Sequence, residues 1–132
     1  MSHSSEEKIL SGISHLGVIL GWLGAGIALL IYLTQKDKSS FTGDHAKQAL
    51  GFQVAIIVVF SILGVLTAGG MAGNILREGS WGVPFPPLGF GALGLLGILR
   101  LAVIIYAVVA AVNAFNGQEF KYVLIGDFVD QI

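Results

Sequence analysis

The sequence predicts an all-α integral membrane protein: a bundle of three transmembrane helices with a glycine- and proline-rich second loop and a short amphipathic C-terminal segment. Three observations carry this expectation. Hydrophobic residues make up 55% of the 132 residues. Charged residues make up only 11%, against about 25% in an ordinary soluble domain. The charges cluster between three apolar runs, each long enough to supply the ~20 helical residues that cross a ~30 Å hydrocarbon core. So short a chain has much surface for its volume and needs a polar exterior to stay in water; most of this exterior must face something else. In lipid, backbone polar groups must be satisfied within their own segment, which makes each run a helix.

The first run covers residues 9–33. Its leader carries Glu6 and Glu7 against Lys8, the wrong charge for a secretory n-region, and it exceeds a ~7–15-residue h-region, so it reads as a retained span. Gly17 and Gly21, continued by Gly24, form a small-residue stripe suited to close helix packing. His15 lies early in the run on another face, with Ile19, Trp22, Gly26 and Leu29. It suits either a boundary residue bonded to a neighbour or a proton carrier.

The loop at 34–45 holds Lys36, Asp37, Lys38 and Asp44, and Asp44 is expected to cap the following helix. The second run covers 46–68. Ala49, Gln53, Phe60, Gly64 and Thr67 share one of its faces, and Gln53 and Thr67 can bond across helices at ~0.6–2 kcal/mol each. The loop at 69–87 carries Pro84, Pro86 and Pro87, which break helices. Its Trp81 and Phe85 suit a membrane interface.

The third run covers 88–114, with Arg100 near its middle. A cation at that depth costs ~2.5–3.5 kcal/mol on insertion scales. Three placements fit: an anion contact in a polar cavity, a hydrogen bond to carbonyls at a helix interface, or a boundary position reached by snorkelling, with 89–97 as a re-entrant or interfacial piece. In the tail, 116–132, Leu124, Ile125, Phe128, Val129 and Ile132 fall on one helical face, opposite Gly126, Asp127, Asp130 and Gln131. That pattern predicts an amphipathic helix on the membrane or on the protein.

The length indicates a single helical domain spanning 1–132. With three crossings, Lys36, Lys38, Lys47 and Lys121 share one side and Lys8 and Arg77 the other. Four against two favours loop one and the C-terminus on the cytoplasmic side. A net charge of −1 offers no pull on nucleic acid. Cysteine is absent, which excludes thiol chemistry. His3, His15 and His45 lack metal-ligand spacing, and no catalytic motif appears. No enzyme activity, cofactor or metal is therefore expected, and the expected partners are the bilayer and a second copy or another membrane protein.

Three segments carry a resemblance. They are Lys36-Asp37-Lys38-Ser39-Ser40-Phe41, then His45-Ala46-Lys47-Gln48-Ala49-Leu50-Gly51-Phe52-Gln53, and then Ala110 to Tyr122 with Asn116-Gly117 at its centre. Together they resemble a domain family of unknown function among small bacterial membrane proteins, grouped with the Tic-twenty subunit of the chloroplast inner-envelope import machinery. The chain departs from that family at Val123, where its members usually have proline, and Arg100 is outside the family motif. The resemblance implies a helical membrane protein and, through its plastid relative, a part in translocation. The residues have physical readings of their own. His45 and Gln48 lie one turn apart at a helix start, and Gln48 and Gln53 can tie loop one to the bundle. Gly117 suits a left-handed helix stop, and Tyr122 an interfacial anchor. The expected function is a non-enzymatic scaffold or a component of a translocation or transport assembly. The alternative is an oligomeric small-solute or anion channel using Arg100.

Overall fold

The computed structural model describes residues 2–78 and 87–132. Among these residues the chain is all-helical. It comprises α1 (Ser5–Leu16), a 3-10 turn (Gly17–Leu20), α2 (Trp22–Gln35), α3 (Ser40–Glu78), α4 (Pro87–Phe115) and α5 (Gly126–Asp130). Trp81, Phe85, Pro84 and Pro86, expected at an interface or as helix breakers, lie outside the described residues.

The first apolar run is not the single crossing expected of it. α1 starts on a capping box: Glu7 N–H donates to Ser4 Oγ at 3.2 Å, and Ser4 N–H donates to Glu7 Oε2 at 2.7 Å. It stops after 12 residues, and the chain passes through the 3-10 turn to Gly21, whose φ of +60° disfavours any residue with a Cβ. α2 then runs back for 14 residues. At ~1.5 Å per residue the two helices rise ~18 and ~21 Å, each short of a ~30 Å core. The result is a helical hairpin, closed where Gly24 lies directly on the backbone of Gly17.

The hairpin lies along α3. Glu7 meets Ser39 and Thr42, His15 meets His45, and Ser14 meets Gln53, so α1 runs parallel to the start of α3. α2 returns antiparallel, bringing Lys36 against Gly43. α4 descends on the other side of α1: the Phe115 ring covers Gly12, and Arg100 shares a small cavity with Val18 and Gly21. α1 is therefore wedged between α3 and α4. Its neighbour α4 offers a seam of Ala107, Ala110, Ala111 and Ala114, all fully or almost fully buried. Small side chains at this i, i+3, i+4, i+7 spacing let helices approach closely.

Among the described residues, α3 and α4 are the two helices long and apolar enough to cross a membrane, over Ser40–Gly73 and Gly91–Phe115. α3 starts earlier than expected. Its cap is Ser39, whose Oγ accepts from Thr42 N–H at 3.2 Å, so Asp44 lies inside the helix. α3 also continues through Gly69, Gly70 and Gly73, which the sequence assigned to a loop. α4 runs unbroken from Pro87 to Phe115, so 89–97 belongs to the same helix as Arg100. It ends on Gly117 at φ +74°. Gly117 N–H donates to Ala114 O and Gln118 N–H to Asn113 O, both at 2.9 Å, the Schellman pattern that satisfies terminal carbonyls.

One end of the molecule gathers the N-terminus, the 36–39 connection and the tail. His3 stacks on Phe41 with ring centroids 3.8 Å apart, and Gly117 lies against Lys8. The sequence placed the N-terminus across the membrane from loop one; the hairpin returns it to the same end.

Candidate functional site: a buried polar knot

The polar residues of α1 recur at helical spacing. Glu7, Ser11, Ser14 and His15 share the face that α1 turns toward α3 and α4. Ser11 Oγ–H donates to Glu7 O at 2.7 Å, and Ser14 Oγ–H to Ser11 O at 2.6 Å. Both hydroxyls are thus satisfied on their own helix. α3 supplies His45, Gln48 and Gln53 from its first turns, all nearly inaccessible. The segment after α4 supplies Gln118 and Tyr122.

These groups meet in a single file. His45 Nε2 lies 3.1 Å from Gln118 O. His45 Nδ1 lies 2.9 Å from His15 Nε2. His15 Nδ1 lies 3.0 Å from Tyr122 Oη. The proton positions follow from the end of the file. A carbonyl can only accept, so His45 Nε2–H donates to Gln118 O, and the neutral ring presents Nδ1 as an acceptor. His15 Nε2–H then donates to it, and His15 Nδ1 accepts from the Tyr122 hydroxyl. Burial, and next Tyr106, hold the Tyr122 phenol above its ordinary range, so its proton is there to give. The ring nitrogens meet a phenol, each other and a carbonyl, and burying a charge there would be costly. Every hydrogen bond points the same way, from Tyr122 to Gln118.

Aromatic rings enclose the file. Tyr122 stacks on Phe52 with centroids 3.9 Å apart and planes 6° from parallel. Tyr106 and Phe120 meet Tyr122 edge-on at 5.2 and 5.1 Å, an arrangement favoured by ring quadrupoles. Val18, Phe52, Ala107, Ala110 and Tyr122 form the continuous core here. Tyr122, expected as an interfacial anchor, is instead 1% exposed at the centre of the site, because the Gly117 turn folds the tail back over α3.

Two further ties flank the file. Gln53 Nε2–H donates to Ser14 O at 2.7 Å, while its Oε1 has no partner. Gln48 Nε2–H donates to Gly126 O at 3.1 Å and to Asp130 Oδ1 at 2.7 Å, holding α5 down; its Oε1 is also without a partner. Lys121 Nζ reaches Asp127 and Asp130 at 2.5 Å each. At the N-terminal edge Ser39 Oγ–H donates to Glu7 Oε1 at 2.6 Å. That hydroxyl, and next Ser4, hold the Glu7 carboxyl below its usual range.

The expected sites therefore divide. His15, His45, Gln48 and Gln53 converge. Gly17 and Gly24 pack on each other within the chain, whereas Gly21, expected to pack with them, has open space beside it and makes the positive-φ turn. Arg100 stands apart from the file: it is exposed on α4, on the side that borders a cavity of about 40 Å³ with Val18, Gln53 and Phe60. In the tail only Gly126–Asp130 is helical. Ile125 packs on the core and Val129 on Gly51 of α3; Phe128 and Ile132 border a groove beside α3 while staying largely exposed, and Leu124 turns outward. Glu7, Ser11, Ser14, Ser39, Tyr106 and Phe120 were not singled out as site residues. The polar spacing from Glu7 to His15, within an otherwise apolar helix, was the signal that could have found the first three. Among the described residues no three metal-ligating side chains gather.

This architecture defines a small helical protein that has, among the described residues, two helices long and apolar enough to cross a membrane, and whose N-terminal hairpin is pinned by a buried polar file. The chain belongs to the magnetosome magnetite crystal formation protein family, MamF/MmsF, which it matches over residues 6–129. That membership replaces the resemblance to the family grouped with Tic-twenty. The segments behind the resemblance encode a helix start, a histidine–glutamine face and a glycine stop, features that do not discriminate between families. No curated protein and no solved structure matches the chain.

Proposed function

We propose that the chain is a non-enzymatic architectural protein of the magnetosome membrane that contributes to magnetite crystal formation by organising other membrane components. The observation that carries this reading is the closed polar file. Its histidine nitrogens bond to one another, to Tyr122 and to Gln118, so they fix the hairpin and the tail instead of presenting ligands.

In this reading α3 and α4 cross the bilayer, and α1–α2 enters and leaves on one side. That topology collects Lys8, Lys36, Lys38, Lys47 and Lys121 at one end, with Arg77 at the far end of α3. Five against one favours the knotted end in the cytoplasm. Self-association is supported by the far halves of α3 and α4. None of residues 61–73 and 91–102 is buried, and Gly91, Gly94 and Gly97 have open space beside them. A neighbour that supplied acceptors to Arg100 would offset the cost of a cation at that depth.

The test is deletion of the gene in a magnetite-forming bacterium, with cross-linking in its native membranes. Smaller or misshapen crystals, together with captured self or partner adducts, are expected. Normal crystals, or no adduct of either kind, would reject the reading. Arg100 also keeps a second reading open, since it borders the same cavity as the unpartnered Gln53 Oε1. An anion path there requires flux in proteoliposomes that Arg100→Leu abolishes.

A further inference from the structure

A groove of about 470 Å³ opens beneath the tail, lined by Tyr32, Leu50, Val54, Ala55, Phe128 and Ile132 among others. Its volume lies in the range of small-molecule clefts, ~300–1,000 Å³. Its wall is apolar except at one mouth. There Lys47 also lines it, with Nζ 3.5 Å from Asp130 O. Lys36 is not part of the wall, but its Nζ sits 6.0 Å above the centre of the ring of Tyr32, which is. The Asp130 carboxylate is nearby but already engaged by Lys121 and Gln48.

The groove also has a definite level in the fold. It lies at the knotted end, where the polar start of α3 gives way to its apolar run, and Phe128 and Ile132 are exposed beside it. An apolar channel with Lys47 and Tyr32 in its wall, and Lys36 over that tyrosine ring, matches a phospholipid, acyl chain inward and phosphate within reach of the lysines. Basic pockets between membrane helices bind anionic headgroups in this way.

We infer that the groove between α2, α3 and α5 holds one anionic phospholipid of the bilayer, with its phosphate at Lys47 and Lys36. The site is independent of the scaffolding role and would stand if that role failed.

The test is native mass spectrometry of the full chain in mild detergent, titrated with phosphatidylglycerol or with phosphatidylcholine of the same acyl chains. One phosphatidylglycerol per chain is expected, held roughly tenfold more tightly than phosphatidylcholine, because each lysine at a headgroup contributes about fivefold and Asp130 offsets part. The Lys36→Ala/Lys47→Ala double variant should bring the two lipids level. Ala55→Trp, which fills the channel and leaves the lysines in place, should weaken both. Circular dichroism checks that each variant keeps its helices. Equal retention of both lipids by the wild type would overturn the assignment. So would phosphatidylglycerol binding unchanged by both folded variants, or a second copy of the chain cross-linking through Phe128→Cys where lipid was expected.

Discussion

Tyr122 and His15 carry unequal shares of the buried file, and the difference can be measured. Tyr122→Phe keeps the stack on Phe52 but leaves His15 Nδ1 without a donor. A stranded buried polar group costs about 1–3 kcal/mol, and the loss should lie in that range. His15→Phe strands both the Tyr122 hydroxyl and His45 Nδ1, so its cost should be about twice as large. Unfolding in mixed micelles of rising SDS content reads both; equal losses would contradict the one-way file. Gln53 behaves differently. Its one bond, to Ser14 O, comes with an unpartnered Oε1. Gln53→Leu removes the bond and the orphan together and should change stability by no more than about 1 kcal/mol.

At the scale of elements, the hairpin and the tail depend on different forces. The hairpin closes by backbone contact. A Cβ on Gly24 would meet the carbonyl of Gly17, and neither backbone has a flexible end to yield. Gly24→Ala should destabilise by about 2 kcal/mol or more, the scale of overpacking in a tight core. Gly26 lies on the same helix with open space beside it, so Gly26→Ala should be neutral or slightly stabilising. Thermal aggregation of the two variants in detergent separates them. The tail is held instead by Gly51, which receives Val129, and by charge. Lys121 holds the Asp130 carboxyl below its usual range, helped by Gln48 against some burial. A carboxyl depressed in the folded state contributes fully above its unfolded value, ~3.9, and loses that contribution as pH falls through the lower folded value. The Asp127 and Asp130 side chains in turn raise Lys121, whose contribution is lost only as pH rises through that raised value. A nitroxide on Phe128→Cys should therefore keep constant mobility around neutrality and loosen in acid below that range. Constant mobility down to pH ~2 would contradict the docking described.

At the scale of the whole molecule, the question is which end faces which side. The native chain has no cysteine, so single cysteines report topology directly. Ser2→Cys, Lys38→Cys and Ile132→Cys should all react with an impermeant maleimide from the same side of sealed vesicles. A three-crossing chain would place Ser2 opposite the other two, so that pattern would reject the re-entrant hairpin. Arg100 belongs to this scale as well. Arg100→Leu removes an exposed cation from α4; if a second copy supplies its acceptors, the variant should lower the oligomer fraction without loosening the knot.

The sequence by itself determined that the chain is helical and apolar. Composition and run length leave no other way to satisfy the backbone. It also marked His15, His45, Gln48 and Gln53, because polar side chains in an apolar run need partners, and it placed the Asn116-Gly117 stop by local conformation. It could not choose between a long span and a hairpin. Gly17 and Gly24 suit close packing in either case, and only the turn at Gly21 brings them together. Tyr122 is ambiguous for a similar reason: a phenol after a helix suits an interface until the tail folds back over Phe52. Tertiary structure decided those points because contacts between residues far apart in the chain depend on the path between them, and that path is set by packing.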